Sequence, residues 1–526
     1  MSAPASGASM PGAGRGRRDA APSPRHLYIH VPFCAARCDY CEFYSVPVGR
    51  AGESGVELKA GAAPGSGDTQ ELGAAQGSGA AQGSEAALAG TPAERERLLD
   101  RFVAALGEEW RRERKRFEVQ SLETVFIGGG TPSLLGWERL ERLLEPFEAL
   151  LTPRAEITVE TNPDDVTPVF AAWAAARRLR ISLGVQSFDA SLRAALGRRA
   201  TTDPEAAFAT LRRAGVGAAL ASARTGPVAP IPGRPGAPGL GIDLIFGLPG
   251  QGLADIEAEL VTVARLRPDH VSWYELGIMP GSALAARVEP GDGAQLGGEA
   301  AALSDGARFG REAPILPGEG RRSSPAASTL SAEATRFGHE SGTQSAAADA
   351  RSDREASTLP DDDTMAVMYR RAVAGLGGLG LDWYEVSNFA RPGYRCCHNS
   401  AVWRGHDYLG LGPGAVGTVG SRRQRDLPDF VAYLAALEGG ADPPRSQEAL
   451  DDATRARERL LLAARTGERV PLDELGGVID QSALAPLAAA GLVSLAGGTL
   501  RVTRKGRYVA NGVCVRLFRD SSFLEA

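Results

Sequence analysis

His30-Val-Pro-Phe-Cys34-Ala-Ala-Arg-Cys38-Asp-Tyr-Cys41-Glu-Phe43 follows directly on the apolar stretch 26–31, and its reading decides the fold of this 526-residue chain. Three thiolates spaced C-x3-C-x2-C on one tight loop can hold three irons of a [4Fe–4S] cluster and leave the fourth iron open to a substrate or cofactor. A ferredoxin-type cluster needs a fourth cysteine, and a structural zinc site needs four ligands. Position 43 is Phe, so the loop itself offers three. A zinc loop completed by His30 or a more distant ligand is the competing reading. Three unrelated buried thiols are a poor one, because the chain has six cysteines and three of them fall within eight residues.

Working outward, the composition excludes several classes. A net charge of −6 gives no electrostatic footprint for a nucleic-acid partner. No apolar run approaches the roughly 20 residues of a transmembrane segment. Residues 1–24 are Ala/Gly/Pro/Ser-rich with scattered arginines and no apolar core of a secretory signal, which predicts a disordered tail. Clustered thiols poised for iron point to a reducing compartment, the cytoplasm.

Three segments bury too little apolar surface to order themselves: 51–90, with a tandem Gly-Ala-Ala-Gln-Gly-Ser repeat, 218–239 and 288–359. They are expected to be disordered insertions. Between them β-rich runs at 26–31, 122–127, 155–160, 181–185, 242–246 and 270–276 alternate with helical patterns at 92–118, 136–150, 166–178, 203–214, 253–266 and 361–377. Such repeats imply parallel strands and right-handed crossovers. Six units are two short of a closed barrel. The expected fold is therefore α/β, a partial (β/α)6 TIM-like barrel over 25–380, with 381–526 as a separate C-terminal region. In such barrels chemistry collects at the C-terminal ends of the strands. The cysteine loop, Gly128-Gly129-Gly130-Thr131-Pro132, Glu160-Thr161-Asn162-Pro163, Gln186, Asp243 and Tyr274 all fall at or near those ends.

The glycine triplet lets backbone approach a ligand closely, and it lacks the Gly-Lys-Ser/Thr ending of a phosphate loop. Asp243 in an apolar strand needs a partner. Together, Tyr28-Ile-His-Val-Pro-Phe-Cys34, Gly-Gly-Gly-Thr-Pro-Ser at 128–133, Leu-Gly-Val-Gln-Ser-Phe at 183–188 and Ile-Asp-Leu-Ile-Phe-Gly-Leu-Pro-Gly-Gln at 242–251 resemble the radical S-adenosylmethionine (radical SAM) family of oxygen-independent coproporphyrinogen III dehydrogenase and its relative, the heme chaperone HemW. The motifs occur in the family's order, and the resemblance covers the chain from about residue 26 to the end, apart from the three insertions. The resemblance implies that Cys34, Cys38 and Cys41 bind a [4Fe–4S] cluster and that Tyr28, Tyr40, Gly129, Gly130 and Thr131 line the S-adenosylmethionine pocket. It further implies that Glu160, Gln186, Arg198 and Asp243 hold that cofactor's amino group, ribose and carboxylate. One-electron chemistry at the cofactor's sulfonium follows from the same likeness.

Two relatives compete. The dehydrogenase pattern resembles C-x3-C-x2-C-x-C, whereas Phe43 stands at the last position here, as in the chaperone. The stretch Cys396-Cys397-His398-Asn399-Ser-Ala-Val402-Trp403 resembles the chaperone's heme-associated His-Asn-x-x-Tyr-Trp, with Val402 in place of tyrosine. It implies His398 as an axial heme ligand, with Cys396 or Cys397 as alternatives. The expected partners are heme or porphyrin and a haemoprotein acceptor; a homodimer is left open. The rival activity is oxidative decarboxylation of coproporphyrinogen III in porphyrin biosynthesis, and a zinc-bound scaffold is the third reading. Helical patterns near 451–465 and 481–490 and a hairpin at Gly497-Gly498 predict a winged-helix-like module. Its Arg501, Arg504, Lys505 and Arg507 read better as part of a cap than as a DNA-binding face.

Overall fold

The computed structural model describes residues 23–49, 91–198, 201–217, 238–279, 282–288 and 358–519. The expected tail 1–24 and the three expected insertions fall, but for a few edge residues, outside the described residues.

The sheet opens with β1 (His26–Val31), followed by the short parallel pair β2 (Phe33–Cys34) and β3 (Val46–Pro47), which pins the two ends of the cysteine loop together. Then come β4 (Leu122–Gly129), β5 (Leu151–Thr161), β6 (Arg180–Gln186), β7 (Leu240–Phe246) and β8 (His270–Glu275). β1, β4, β5, β6, β7 and β8 are neighbours in that order and all parallel. Leu27, Ile29, Val125, Ile127, Val159, Ile181, Leu183, Ile242 and Leu244 are fully buried between sheet and helices, which is why these strands read as near-continuous apolar runs. The crossover helices include α1 (Pro92–Arg116), α2 (Trp137–Leu144), α3 (Pro168–Ala176), α4 (Ala190–Ala195), α5 (Pro204–Ala214), α6 (Leu253–Leu266) and α7 (Asp362–Gly378). Their starts are written locally. Thr91, Thr167 and Asp203 each precede a proline and accept a first-turn amide, the side-chain cap and Pro-N1 pairing that begins a helix. The expected helix 136–150 ends at Leu144, where Pro146 tightens the chain into a 3-10 turn.

Residue 380 is not a break in the sheet. β9 (Asp382–Glu385) and β10 (Asn388–Ala390) extend it antiparallel from β8. On the other side β11 (Tyr408–Leu411) pairs in parallel with β1, Ile29 opposite Leu411, and carries β12 (Val416–Val419), β13 (Arg422–Asp426) and β14 (Arg445–Ala449). Six open parallel strands leave two edges of unpaired backbone groups, and the C-terminal chain covers both. Residues past about 450 keep a core of their own, in which Leu460, Val470, Leu475, Leu500, Val513 and Leu517 are buried. That module has a three-stranded sheet, β15 (Arg469–Pro471), β16 (Val493–Ala496) and β17 (Thr499–Val502), with flanking helices in a winged-helix-like arrangement. Arg507 fastens it to the barrel: its guanidinium lies 3.9 Å from the Trp383 ring centroid and donates to the Trp383 carbonyl at 3.2 Å.

Candidate functional site

The cysteine loop is held from inside by the glycine run after β4. The Gly130 amide donates to the Val31 carbonyl (2.8 Å), the Thr131 amide to the Phe33 carbonyl (2.6 Å), and the Thr131 hydroxyl reaches Cys34 Sγ at 3.5 Å. A Cβ on Gly130 would sit 2.6 Å from the Phe33 carbonyl oxygen, and one on Gly129, at φ +107°, would sit 2.6 Å from His30 Nδ1. Both positions therefore require glycine. Cys34, Cys38 and Cys41 are free, half-buried thiols. Burial pushes all three upward, Cys41 to about 12 with help from Cys34. Among the described residues no three His, Cys, Asp or Glu side chains converge where a single ion would sit. A cluster asks for something different, since each thiolate takes its own iron. His30 has both ring nitrogens in use, Nδ1 with the Tyr28 hydroxyl (3.0 Å) and Nε2 with the Tyr44 carbonyl (2.9 Å). It is not placed to complete a zinc site. Phe43 is 60% exposed, clear of the thiols' enclosure.

Beside this loop the lumen is polar. The Gly129 amide donates to Glu160 Oε2 at 3.1 Å, and the Ser182 hydroxyl donates to Asp243 at 2.9 Å. Burial, reinforced by Asp243, pushes Glu160 up to about 8; burial also raises Asp243, against hydrogen bonds from Ser272 and Ser182. Two half-buried carboxyls raised in this way call for cationic or hydroxyl donors. A bulge in the β6–β7 pairing between Gly184 and Gln186 throws Gln186 into a left-handed conformation at φ +69°. That is an unusual state for a non-glycine residue, and bulges of this kind re-aim side chains next to sites. Gln186 and Arg198 both fold over Gly184, whose carbonyl accepts from Arg198 Nη2 at 2.7 Å. Arg198 also hydrogen-bonds Tyr40, and its buried Nε has no partner. Tyr28 is raised by burial and by Glu160. The donor set fits the groups implied for it: thiols for iron, Glu160 and Asp243 for an ammonium and ribose hydroxyls, and an incompletely satisfied guanidinium for a carboxylate. Sequence reasoning does not find Ser182 and Ser272. The one signal they carry is a hydroxyl on each of β6 and β8, the strands that flank Asp243 on β7.

His398 is not brought to this site. It lies on α8 (Cys397–Trp403), which plugs the opposite, N-terminal end of the barrel, where Glu156 Oε1 accepts the Cys397 and His398 amides at 2.8 and 3.1 Å. A carboxylate at the first turn of a helix answers its unpaired amides. The His398 ring is 4% exposed, bonded through Nδ1 to Thr124 Oγ1 (2.8 Å) and packed against Phe126, Tyr28 and Tyr408. Burial drives it down to about 3. The ring expected to ligate heme is thus enclosed by its neighbours. Cys396 is buried and Cys397 half-buried. Trp403 packs on Tyr384.

Residues 28–224, which hold the three-cysteine loop and the first strands of the open parallel barrel, match the model of the Radical SAM superfamily. Along most of its length the chain is similar to heme chaperones. It is 29% identical to the heme chaperone HemW of Mycobacterium tuberculosis over 493 residues, covering 93% of this chain and 94% of that one. It is 29% identical to the HemW of Escherichia coli over 400 residues, 75% and 70% of the two chains. The fold is shared with the coproporphyrinogen III oxidase (HemN) of Escherichia coli, at a TM-score of 0.59 and 18% identity over 94% of this chain and 90% of that one. Among the described residues no helix is long and apolar enough to cross a membrane.

Proposed function

We propose that this protein is a cytoplasmic heme chaperone of the radical SAM class, which binds heme as cargo and delivers it to a haemoprotein. Cys34, Cys38 and Cys41 hold a [4Fe–4S] cluster. Glu160, Asp243, Gln186 and Arg198 hold S-adenosylmethionine, with Tyr28, Tyr40, Gly129, Gly130 and Thr131 around it. When bound, the cluster supplies a one-electron donor beside the cofactor's sulfonium. The chain's own residues orient the cofactor by hydrogen bonds and limit water with the half-buried Tyr28, Tyr40 and Thr131. The observation that carries the reading is Phe43, exposed where the decarboxylating relative's pattern has a fourth cysteine, in a chain similar to HemW over most of its length.

The test is an anaerobic titration with hemin followed by absorbance, then transfer to an apo-haemoprotein. Saturable binding and loss of heme to the acceptor are expected. Conversion of coproporphyrinogen III to a decarboxylated product, read by mass spectrometry, would instead establish the enzymatic rival.

A further inference from the structure

β6 stops at Gln186, where the bulge turns the backbone to φ +69°, so Ser187 and Phe188 have no place in the ladder with β7. Their polar groups need other partners. Glu259, on α6, supplies them. Its Oε1 accepts the Ser187 hydroxyl at 2.5 Å and the Phe188 amide at 3.0 Å, and its Oε2 shares that amide at 3.2 Å. From the other side Arg193, on α4, donates through Nη1 to the Ser187 carbonyl at 2.7 Å. One residue past Gln186 the chain is thus gripped by a carboxylate and a guanidinium from two different helices.

The carboxylate brace is costly. Ser187 is fully buried and Glu259 is 4% exposed, and burial pushes the Glu259 carboxyl up to about 7, against the hydrogen bonds from Ser187 and Phe188. An apolar side chain would fill that position without this penalty, but it would leave the Phe188 amide unpaired. What the brace secures is the placement of Gln186 and Arg198. A Cβ added at Gly184 would sit 3.2 Å from Gln186 Nε2 and 3.5 Å from Arg198 Nη2, so the two side chains converge there. Arg198 follows Gly197 at φ +70°, and its amide donates to the Arg193 carbonyl at 3.1 Å. Arg193 therefore links the Ser187 peptide to the turn that carries Arg198, while Glu259 holds the same stretch from α6.

Resting on the reading that Gln186 and Arg198 hold S-adenosylmethionine, we propose that Glu259 is a positioning residue for that cofactor. From α6 it fixes Ser187 and Phe188, and so keeps Gln186 in the left-handed conformation that brings its side chain beside Arg198 over Gly184. A left-handed backbone at a non-glycine residue persists only where its surroundings hold it. With the carboxylate gone, Gln186 relaxes toward an ordinary strand conformation and its side chain leaves that place.

The experiment is a calorimetric titration of S-adenosylmethionine into the full chain with its cluster reconstituted anaerobically, for the parent, Glu259→Ala, Glu259→Gln, Gln186→Ala and the double variant Glu259→Ala/Gln186→Ala. Glu259→Ala should bind at least about tenfold more weakly, with bound iron and sulfide as in the parent. Glu259→Gln should recover most of that loss, because an amide oxygen still accepts the Phe188 N–H. In the Gln186→Ala background the effect of Glu259→Ala should nearly vanish, since it acts through the side chain already removed. Parent-like affinity in Glu259→Ala, a loss in Glu259→Gln as large as in Glu259→Ala, or additive losses in the double variant each overturn the assignment while leaving the cofactor site in place. Should Glu259→Ala fail to take up iron, Ser187→Ala replaces it in the same cycle, with a smaller loss expected and additivity again overturning the assignment. No saturable binding by the parent overturns the reading of the cofactor site itself.

Discussion

The amide of Gly129 donates to Glu160 Oε2 over 3.1 Å, so one bond ties the glycine turn after β4 to the half-buried carboxyl at the end of β5. That carboxyl is raised to about 8, chiefly by burial and then by Asp243. A carboxyl whose folded value lies above its ordinary one stabilises the fold fully below about 4.3. The contribution is lost as pH rises through about 8. The unliganded protein should therefore lose thermal stability relative to Glu160→Gln across that window. Binding of S-adenosylmethionine, whose ammonium favours the carboxylate, should release a proton near neutral pH. Calorimetry in buffers of different ionisation enthalpy measures it; identical proton release in Glu160→Gln would remove Glu160 from the site.

Alanine at Cys34, Cys38 or Cys41 should each abolish the visible absorbance of a reconstituted cluster and lower bound iron and sulfide, because the loop has no fourth thiol to substitute. Phe43→Ala should leave iron content unchanged, since this side chain is largely in solvent. Metal analysis that finds zinc in the parent, without sulfide, would establish a scaffold instead.

Gly130→Ala places a methyl 2.6 Å from the Phe33 carbonyl oxygen, and the obstacle is backbone. The expected cost is about 1–3 kcal/mol, with impaired cluster assembly because Phe33 leads directly into Cys34. Gly377→Ala on α7 meets nothing within 4 Å and should raise stability by up to about 1 kcal/mol. Paired denaturation curves decide; equal effects at the two sites would refute the steric account.

Arg445 lies among Glu109, Glu113 and Asp426, all buried, and bonds each of them. It clamps β14 to α1 across the edge strands. Arg445→Met strands three buried carboxyls and should cost about 3–5 kcal/mol. Burial and Glu109 raise Asp426, so this carboxyl favours the fold when protonated. Removing the guanidinium strengthens that tendency, and the variant's deficit should grow from pH 5 to pH 8. A deficit that shrinks with rising pH would contradict this.

What is legible in the chain follows chemical locality. The C-x3-C-x2-C loop, the glycine triplet and the six strand runs are each written within a few residues, and helices 253–266 and 362–378 begin and end close to where caps and periodicity put them. Cys34, Glu160 and Asp243 group together on sequence grounds because βα repeats send strand ends to one face. Gln186 is identifiable as a polar residue after a strand, but its left-handed turn depends on a bulge in the pairing with β7, which no single strand encodes.

The class of chemistry is readable along the chain, because cysteine spacing and strand–helix alternation are local properties. How the barrel's edges are covered and which histidine faces solvent depend on contacts made in the fold. β11 pairs with β1 across some 380 intervening positions, and α8 is drawn under the barrel by Glu156, a carboxylate 241 residues from Cys397. Pairing of unmatched backbone and capping of a helix end are satisfied by whatever folding brings near. The His-Asn pattern singles out His398 from His406 eight positions on, but that the first is buried and the second exposed follows from the fold alone.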